Sequence, residues 1–72
     1  MTTLAELSVG QSATVQSVQG HDEIAVRLLE MGLTPGVDVK VVGSALLGDP
    51  VELEVRGYRL SLRKSEAKRV HV

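Results

Sequence analysis

Between Leu28 and Val41 the apolar spacing changes period, and that change limits what this chain can fold into. Ile24, Leu28 and Met31 recur at helical spacing, with Ala25 and Leu29 flanking them. After Gly36, Val37, Val39 and Val41 alternate with Asp38 and Lys40, the pattern of a half-buried strand. Gly32 fits the left-handed position that ends a helix, because it has no Cβ to clash. Pro35 and Gly36 fit the two central positions of a type II turn: Pro restricts φ and Gly accepts a positive value. Helix end, turn and strand start therefore follow one another without a linker.

The flanking segments extend this pattern. Leu4 and Leu7 precede Ser8-Val9-Gly10-Gln11, a turn whose leucines close one end of a core. Ser12 to Val18 is β-prone, with Ala13 and Val15 on one face, and Gln19-Gly20 breaks it. Asp22 is placed to cap a helix from Glu23 to Met31, with Glu23 in the first turn where the helix dipole favours an acid. Arg27 and Glu30 point outward. Val51, Leu53 and Val55 alternate with acids, and Tyr58, Leu60 and Leu62 alternate with Arg59, Ser61 and Arg63. Arg56-Gly57 between them predicts a two-residue hairpin pairing Val55 with Tyr58, Leu53 with Leu60 and Val51 with Leu62. That register points Tyr58 inward with the other apolar residues. Lys64 to Ala67 turns the chain into a last strand holding Val70 and Val72, with His71 outward.

The chain has 72 residues, enough for a single domain over 1–72. It has no Cys, so neither disulfides nor thiolate metal sites support it. Val and Leu must supply the core, because the hydrophobic fraction is 43% and the aromatic fraction 1%. Five short strands and one helix after the first are best protected by curling, which removes free edges. The expected fold is mainly β, a small five-stranded SH3-like barrel with one short helix. An open sheet with a packed helix is the alternative. The first residues lack the basic start and apolar stretch of a signal peptide, and no apolar run approaches a bilayer span. A cytoplasmic protein is expected.

The missing residue types exclude the usual barrel functions. A Pro-rich peptide groove is lined by aromatics, and a single-strand nucleic-acid platform stacks bases on them. One Tyr, with no Trp or Phe, builds neither, and a net charge of −1 gives no general attraction to nucleic acid. No Gly-x-Ser-x-Gly turn, Cys nucleophile or Gly-rich phosphate loop is present, so catalysis is not expected.

Three groups of residues remain as candidates. His21, Asp22, Glu23 and His71 are the only hints of a divalent transition-metal site, which needs three or four convergent ligands. The plainer reading has Asp22 capping, Glu23 meeting the dipole, and His21 and His71 solvated. Arg56, Arg59, Arg63, Lys64, Lys68 and Arg69 gather in the last third of the sequence. Arg59 is expected to pair with Glu54 across the hairpin, while Arg63, Lys64, Lys68 and Arg69 suit an acidic partner or phosphates as well as local pairing. The loop Ser44 to Pro50 carries adjacent leucines, Leu46 and Leu47, next to Asp49 and Pro50. Either they fold back onto the barrel, the favoured reading, or they dock into a partner.

Leu29-Glu30-Met31-Gly32-Leu33-Thr34-Pro35-Gly36 and the Val-rich strand, followed by Leu47-Gly48-Asp49-Pro50-Val51, resemble the FeoA family in order and spacing. Arg56-Gly57-Tyr58-Arg59-Leu60-Ser61-Leu62-Arg63-Lys64-Ser65-Glu66-Ala67 and the closing Val70-His71-Val72 continue the likeness over nearly the whole chain. The resemblance implies a small cytosolic SH3-like protein of ferrous iron uptake, with no catalytic residues. Its implied partner is an FeoB-like membrane transporter with a GTP-binding domain, the membrane being reached only through it. Leu46, Leu47, Asp49, Pro50, Arg63 and Lys64 are the expected contact residues. A stand-alone metal-binding regulatory domain, similar to the SH3-like domain of iron-dependent repressors, is the alternative. Self-association is left open.

Overall fold

The computed structural model describes residues 2–72, and for Leu46 the backbone alone. A 3-10 turn at Leu4–Glu6 leads into β1 (Ser12–Thr14) and β2 (Ser17–Val18), then helix α1 (Glu23–Glu30). β3 (Asp38–Ser44), a 3-10 turn at Leu46–Gly48, β4 (Val51–Val55) and β5 (Tyr58–Leu62) form a meander. Helix α2 (Lys64–Ala67) and β6 (Val70–His71) complete the order. β1, β3, β4 and β5 make a four-stranded antiparallel sheet in that order, and β2 pairs with β6 in a second, two-stranded one.

The single expected first strand is therefore two. The chain changes partner between adjacent residues: Val15 N–H donates to Val37 O at 2.8 Å and Gln16 N–H to His71 O at 2.7 Å. This switch makes the corner of the barrel, because one strand cannot follow both sheets without bending. The termini meet beyond it. Val72 N–H donates to Thr2 O at 2.9 Å, and Thr3 bridges to His71. The expected turn at Lys64 to Ala67 closes into the short helix α2, whose Ala67 is buried.

The helix end, turn and strand start are built as their residues require. Leu33 N–H reaches back to Leu28 O at 3.2 Å and Gly32 N–H to Leu29 O at 3.0 Å, the two bonds of a Schellman cap. Gly32 holds a φ of +105° there, and Leu28 and Leu33, the cap's apolar pair, are both fully buried. Gly36 has a φ of +92° and Val37 N–H bonds to Thr34 O at 3.2 Å, closing the turn over Pro35-Gly36. The hairpin register also holds: Val55 pairs with Tyr58, Leu53 with Leu60 and Val51 with Leu62. Arg56 and Gly57 carry positive φ values of 49° and 85°, the type I′ turn that suits the strand twist.

The core lies between the inner sheet face and the segments that close over it. Val39, Val41, Leu53, Val55 and Leu62 come from the meander, and Leu4, Val15, Leu28, Leu33, Ala67 and Val70 from elsewhere in the chain. Two inward assignments differ from expectation. Ile24 is 37% exposed, and Ala25 takes the inward place beside Leu28. A Cβ at Gly20 would sit in ordinary contact with Ala25, so the start of α1 packs beside the preceding segment. Tyr58 lies on the inner side of the register yet is 41% exposed, because it sits past the end of the core. Its hydroxyl donates to Met31 O at the end of α1, and a Cβ at Gly32 would collide with it. Gly32 thus serves both the cap and this contact.

Leu53→Ala should lower unfolding stability by about 2–5 kcal/mol, since its site is central and cannot collapse freely. Tyr58→Phe should cost only about 0.5–1.5 kcal/mol, the net worth of one hydrogen bond. Urea unfolding of the two variants beside the parent checks both values, and their order tests whether aliphatic packing or the Tyr58 tie dominates.

Candidate docking surface

The β3–β4 connection projects from one end of the barrel. Ala45 N–H bonds to Pro50 O at 3.0 Å and Gly48 N–H to Ala45 O at 2.9 Å, so the loop is a closed tip rather than a loose span. At that tip Leu47 holds a φ of 65° and is 89% exposed. A bulky residue in the left-handed region is strained, and here no burial offsets the strain. The expectation that both leucines fold back is corrected for Leu47, which the backbone turns outward into solvent. The side chain of Leu46 lies outside the described residues.

Asp49 and Pro50 follow, joined by a cis peptide bond. Asp49 Oδ1 accepts from Lys64 N–H at 3.0 Å, tying the loop to the start of α2. Arg63 N–H donates to Glu66 Oε1 at 2.9 Å, and Glu66 also pairs with Arg27 from α1. Asp49, Pro50, Ser61, Arg63 and Glu66 line a shallow depression of about 430 Å³. Tertiary structure thus gathers five of the expected contact residues, Leu47, Asp49, Pro50, Arg63 and Lys64, at one end of the molecule. Val9, 58% exposed, borders a smaller hollow beside them that Leu7, Gly48, Val51 and Lys64 also line. Val9 was missed because a lone Val in a Ser/Gly turn gives no periodic signal.

The other basic residues do not join this surface as one patch. Arg69 makes a bidentate pair with Asp22, at 2.5 Å to Oδ1 and 2.8 Å to Oδ2. Asp22 also accepts from Ala25 N–H at 3.1 Å, so it is the helix cap as expected. The Arg69 hydrogen bonds and that cap hold the Asp22 carboxyl at about 2, below its ordinary 3.8, and Asp22 in turn raises Arg69. Arg59 stands opposite Glu54 in the ladder, but the expected ion pair between them is absent among the described residues.

The metal candidates are likewise not brought together. Both oxygens of Asp22 are taken by Arg69. His71 is half-buried rather than solvated as expected, because β6 lies between β2 and the N-terminal segment. Its Nε2 lies 3.2 Å from Gln19 Oε1, and its buried Nδ1 has no partner. His21 and Glu23 are exposed at the start of α1. Among the described residues no three of His, Cys, Asp or Glu form a group able to hold a metal ion. These residues do not fit a resident metal.

A family model for the FeoA domain matches residues 2–72. The chain belongs to the FeoA family. It is 38% identical over 69 residues to an Fe(2+) transport protein A/Fe(2+) transporter FeoB fusion protein of Porphyromonas gingivalis, covering 96% of this chain but only 8% of the fusion. It is 33% identical to a candidate Fe(2+) transport protein A of Campylobacter jejuni, over 97% of this chain and 95% of that one. The zinc-complexed FeoA of Stenotrophomonas maltophilia, described as a prokaryotic SH3-domain protein, matches with a TM-score of 0.89. That likeness runs at 43% identity over 100% of this chain and 89% of the other. The mainly β, SH3-like architecture expected for FeoA is therefore the one observed, with a sheet that stays open rather than closing fully. Among the described residues no helix of this FeoA-family chain is long and apolar enough to cross a membrane.

The Asp22 carboxylate predicts a pH dependence. Its folded value lies below its unfolded one, so its stabilisation is complete above about 4 and is lost as pH falls through about 2. Asp22→Asn keeps a side-chain cap but removes the charge. Its stability should fall less than the parent's over that acid range, as followed by circular dichroism in urea at stepped pH.

Proposed function

We propose that this FeoA-family chain is a non-catalytic cytoplasmic adaptor of ferrous iron uptake. It docks on the cytoplasmic GTP-binding part of an FeoB-like transporter and influences its assembly or nucleotide turnover. The observation that carries this reading is the Porphyromonas gingivalis fusion, in which a unit 38% identical to this chain shares a polypeptide with an Fe(2+) transporter FeoB. Units joined in one chain in one organism and separate in another commonly work on the same process. The Stenotrophomonas maltophilia relative, proposed to act as a ferrous iron transport activating factor, supports the same role.

The chemistry of the docking end suits an adaptor. A Leu presented at a strained tip is held ready, so little side-chain or loop freedom is lost when it enters a pocket. Burying it is worth about 1.5–3 kcal/mol. Arg63 and Lys64 beside it guide approach and select an acidic rim, acting more on association rate than on final affinity. The aromatic groove of peptide-binding SH3 domains is replaced by this aliphatic tip, because the chain has one Tyr and no Trp or Phe.

Leu47→Asp should weaken binding to the purified GTP-binding part of the transporter by about tenfold or more without unfolding the barrel, since Leu47 makes no core contact. Arg63→Glu with Lys64→Glu should slow association and flatten its salt dependence. Biolayer interferometry at two salt concentrations reads both effects. Unchanged kinetics in folded variants would remove this face as the contact.

A further inference from the structure

β5 has one neighbour. Among the described residues it pairs with β4 alone, and no other backbone hydrogen bond reaches 58–62. Val55–Tyr58, Leu53–Leu60 and Val51–Leu62 flank a two-residue turn, so these are the pairs that exchange ladder bonds. The N–H and C=O groups of Arg59 and Ser61 therefore point away from β4. Tyr58, Arg59 and Ser61 are exposed and Leu60 is half-buried, so nothing folded over them hides this edge.

The side chains along the edge say what would suit it. One row across the outer sheet face runs Lys40, Glu54, Arg59, changing sign from strand to strand. The next place in that row calls for an acid, since opposite charges across neighbouring strands stabilise and like charges destabilise. Arg59 and Arg63 are both exposed, on the same side of the strand, and form no side-chain ion pair among the described residues. On the other side Tyr58 and Leu60 offer apolar surface. A second copy is a poor occupant, because antiparallel pairing of two β5 edges crowds arginines together. The opposite sheet edge, β1, has only three residues and no charge.

We propose that the free edge of β5 is a strand-addition site for an extended segment of a partner protein in which acidic and apolar residues alternate. Main-chain bonds to Arg59 and Ser61 supply the attachment. An acid opposite Arg59 and an apolar residue opposite Leu60 supply the choice of sequence. The site lies away from Leu47 but shares Ser61 and Arg63 with the depression of the docking face above, so Arg59→Glu and Leu47→Asp are the variants that separate the two.

The test is an NMR titration of the full chain with a blocked hexapeptide of alternating Glu and Val. Shifts and slowed exchange at the Arg59 and Ser61 amides are expected, together with loss of binding when the peptide amides on one edge are N-methylated. Arg59→Glu should weaken the Glu-Val peptide by about tenfold and admit a Lys-Val peptide instead. Ser61→Pro should abolish binding while leaving the β4 ladder in place, since Pro is tolerated where the strand N–H faces outward. Should that variant unfold, Arg59→Glu and the N-methylated peptide still decide. Leu47→Asp should bind the peptide as the parent does. Shifts mapping elsewhere, no shifts at millimolar peptide, indifference to N-methylation, or self-association through β5 would each overturn the proposal.

Discussion

The turn between α1 and β3 is seated on one residue, and the rest of the barrel depends on that seat. Gly36 N–H donates to Val15 O at 2.8 Å, and Val15 N–H donates to Val37 O at 2.8 Å. Val15, itself buried, is thus held at both main-chain groups where the first strand leaves one sheet for the other. The Schellman cap at Gly32 aims the chain into this contact, and the Pro35-Gly36 turn delivers Val37 to it. In a chain without disulfides and with a purely aliphatic core, such backbone ties replace the staples that small domains usually need. They also fix the register of β3, from which β4 and β5 take theirs.

That frame explains why the docking end is where it is. β3 and β4 are locked from the β1 side, so their connection is free to project at the far end. Asp49, bonded to the start of α2, keeps the projection at a set angle, and Arg63 and Lys64 come to it along β5. At the other end, Arg69 and Asp22 neutralise one another and clamp the N-terminus of α1 to the approach to β6. The same pair that stiffens the fold takes Asp22 away from metal coordination. Basic residues close in sequence therefore end with different tasks: Arg69 holds the fold, while Arg63 and Lys64 face outward.

The helix cap, the type II turn, the Arg56-Gly57 hairpin and the pairing of β4 with β5 were legible in the sequence, because each rests on residues near one another in the chain. So was the core, in outline. The phase of α1 was not: Ile24 is the larger residue, yet the helix turns Ala25 and Leu28 into the core and leaves Ile24 37% exposed. Leu47 was expected to fold back on the general rule that leucines avoid water. The rule is overridden by a backbone that holds φ positive at that residue. Strand alternation predicts a solvated His71, but β6 has β2 on one side and the N-terminal segment on the other, and His71 is half-buried.

The sequence by itself determined the local geometry, the aliphatic character of the core and membership in the FeoA family, since those follow from spacing, residue type and order along the chain. Only the tertiary structure decided which residues share a surface. Val15 and Gln16 carry no mark showing that they bond to different sheets. Nothing in the spacing of Asp22 and Arg69 foretells a bidentate pair, and Arg59's expected partner Glu54 does not engage it. Those outcomes are set by long-range hydrogen bonds and close backbone approaches, whose energies depend on distances that a linear pattern does not contain.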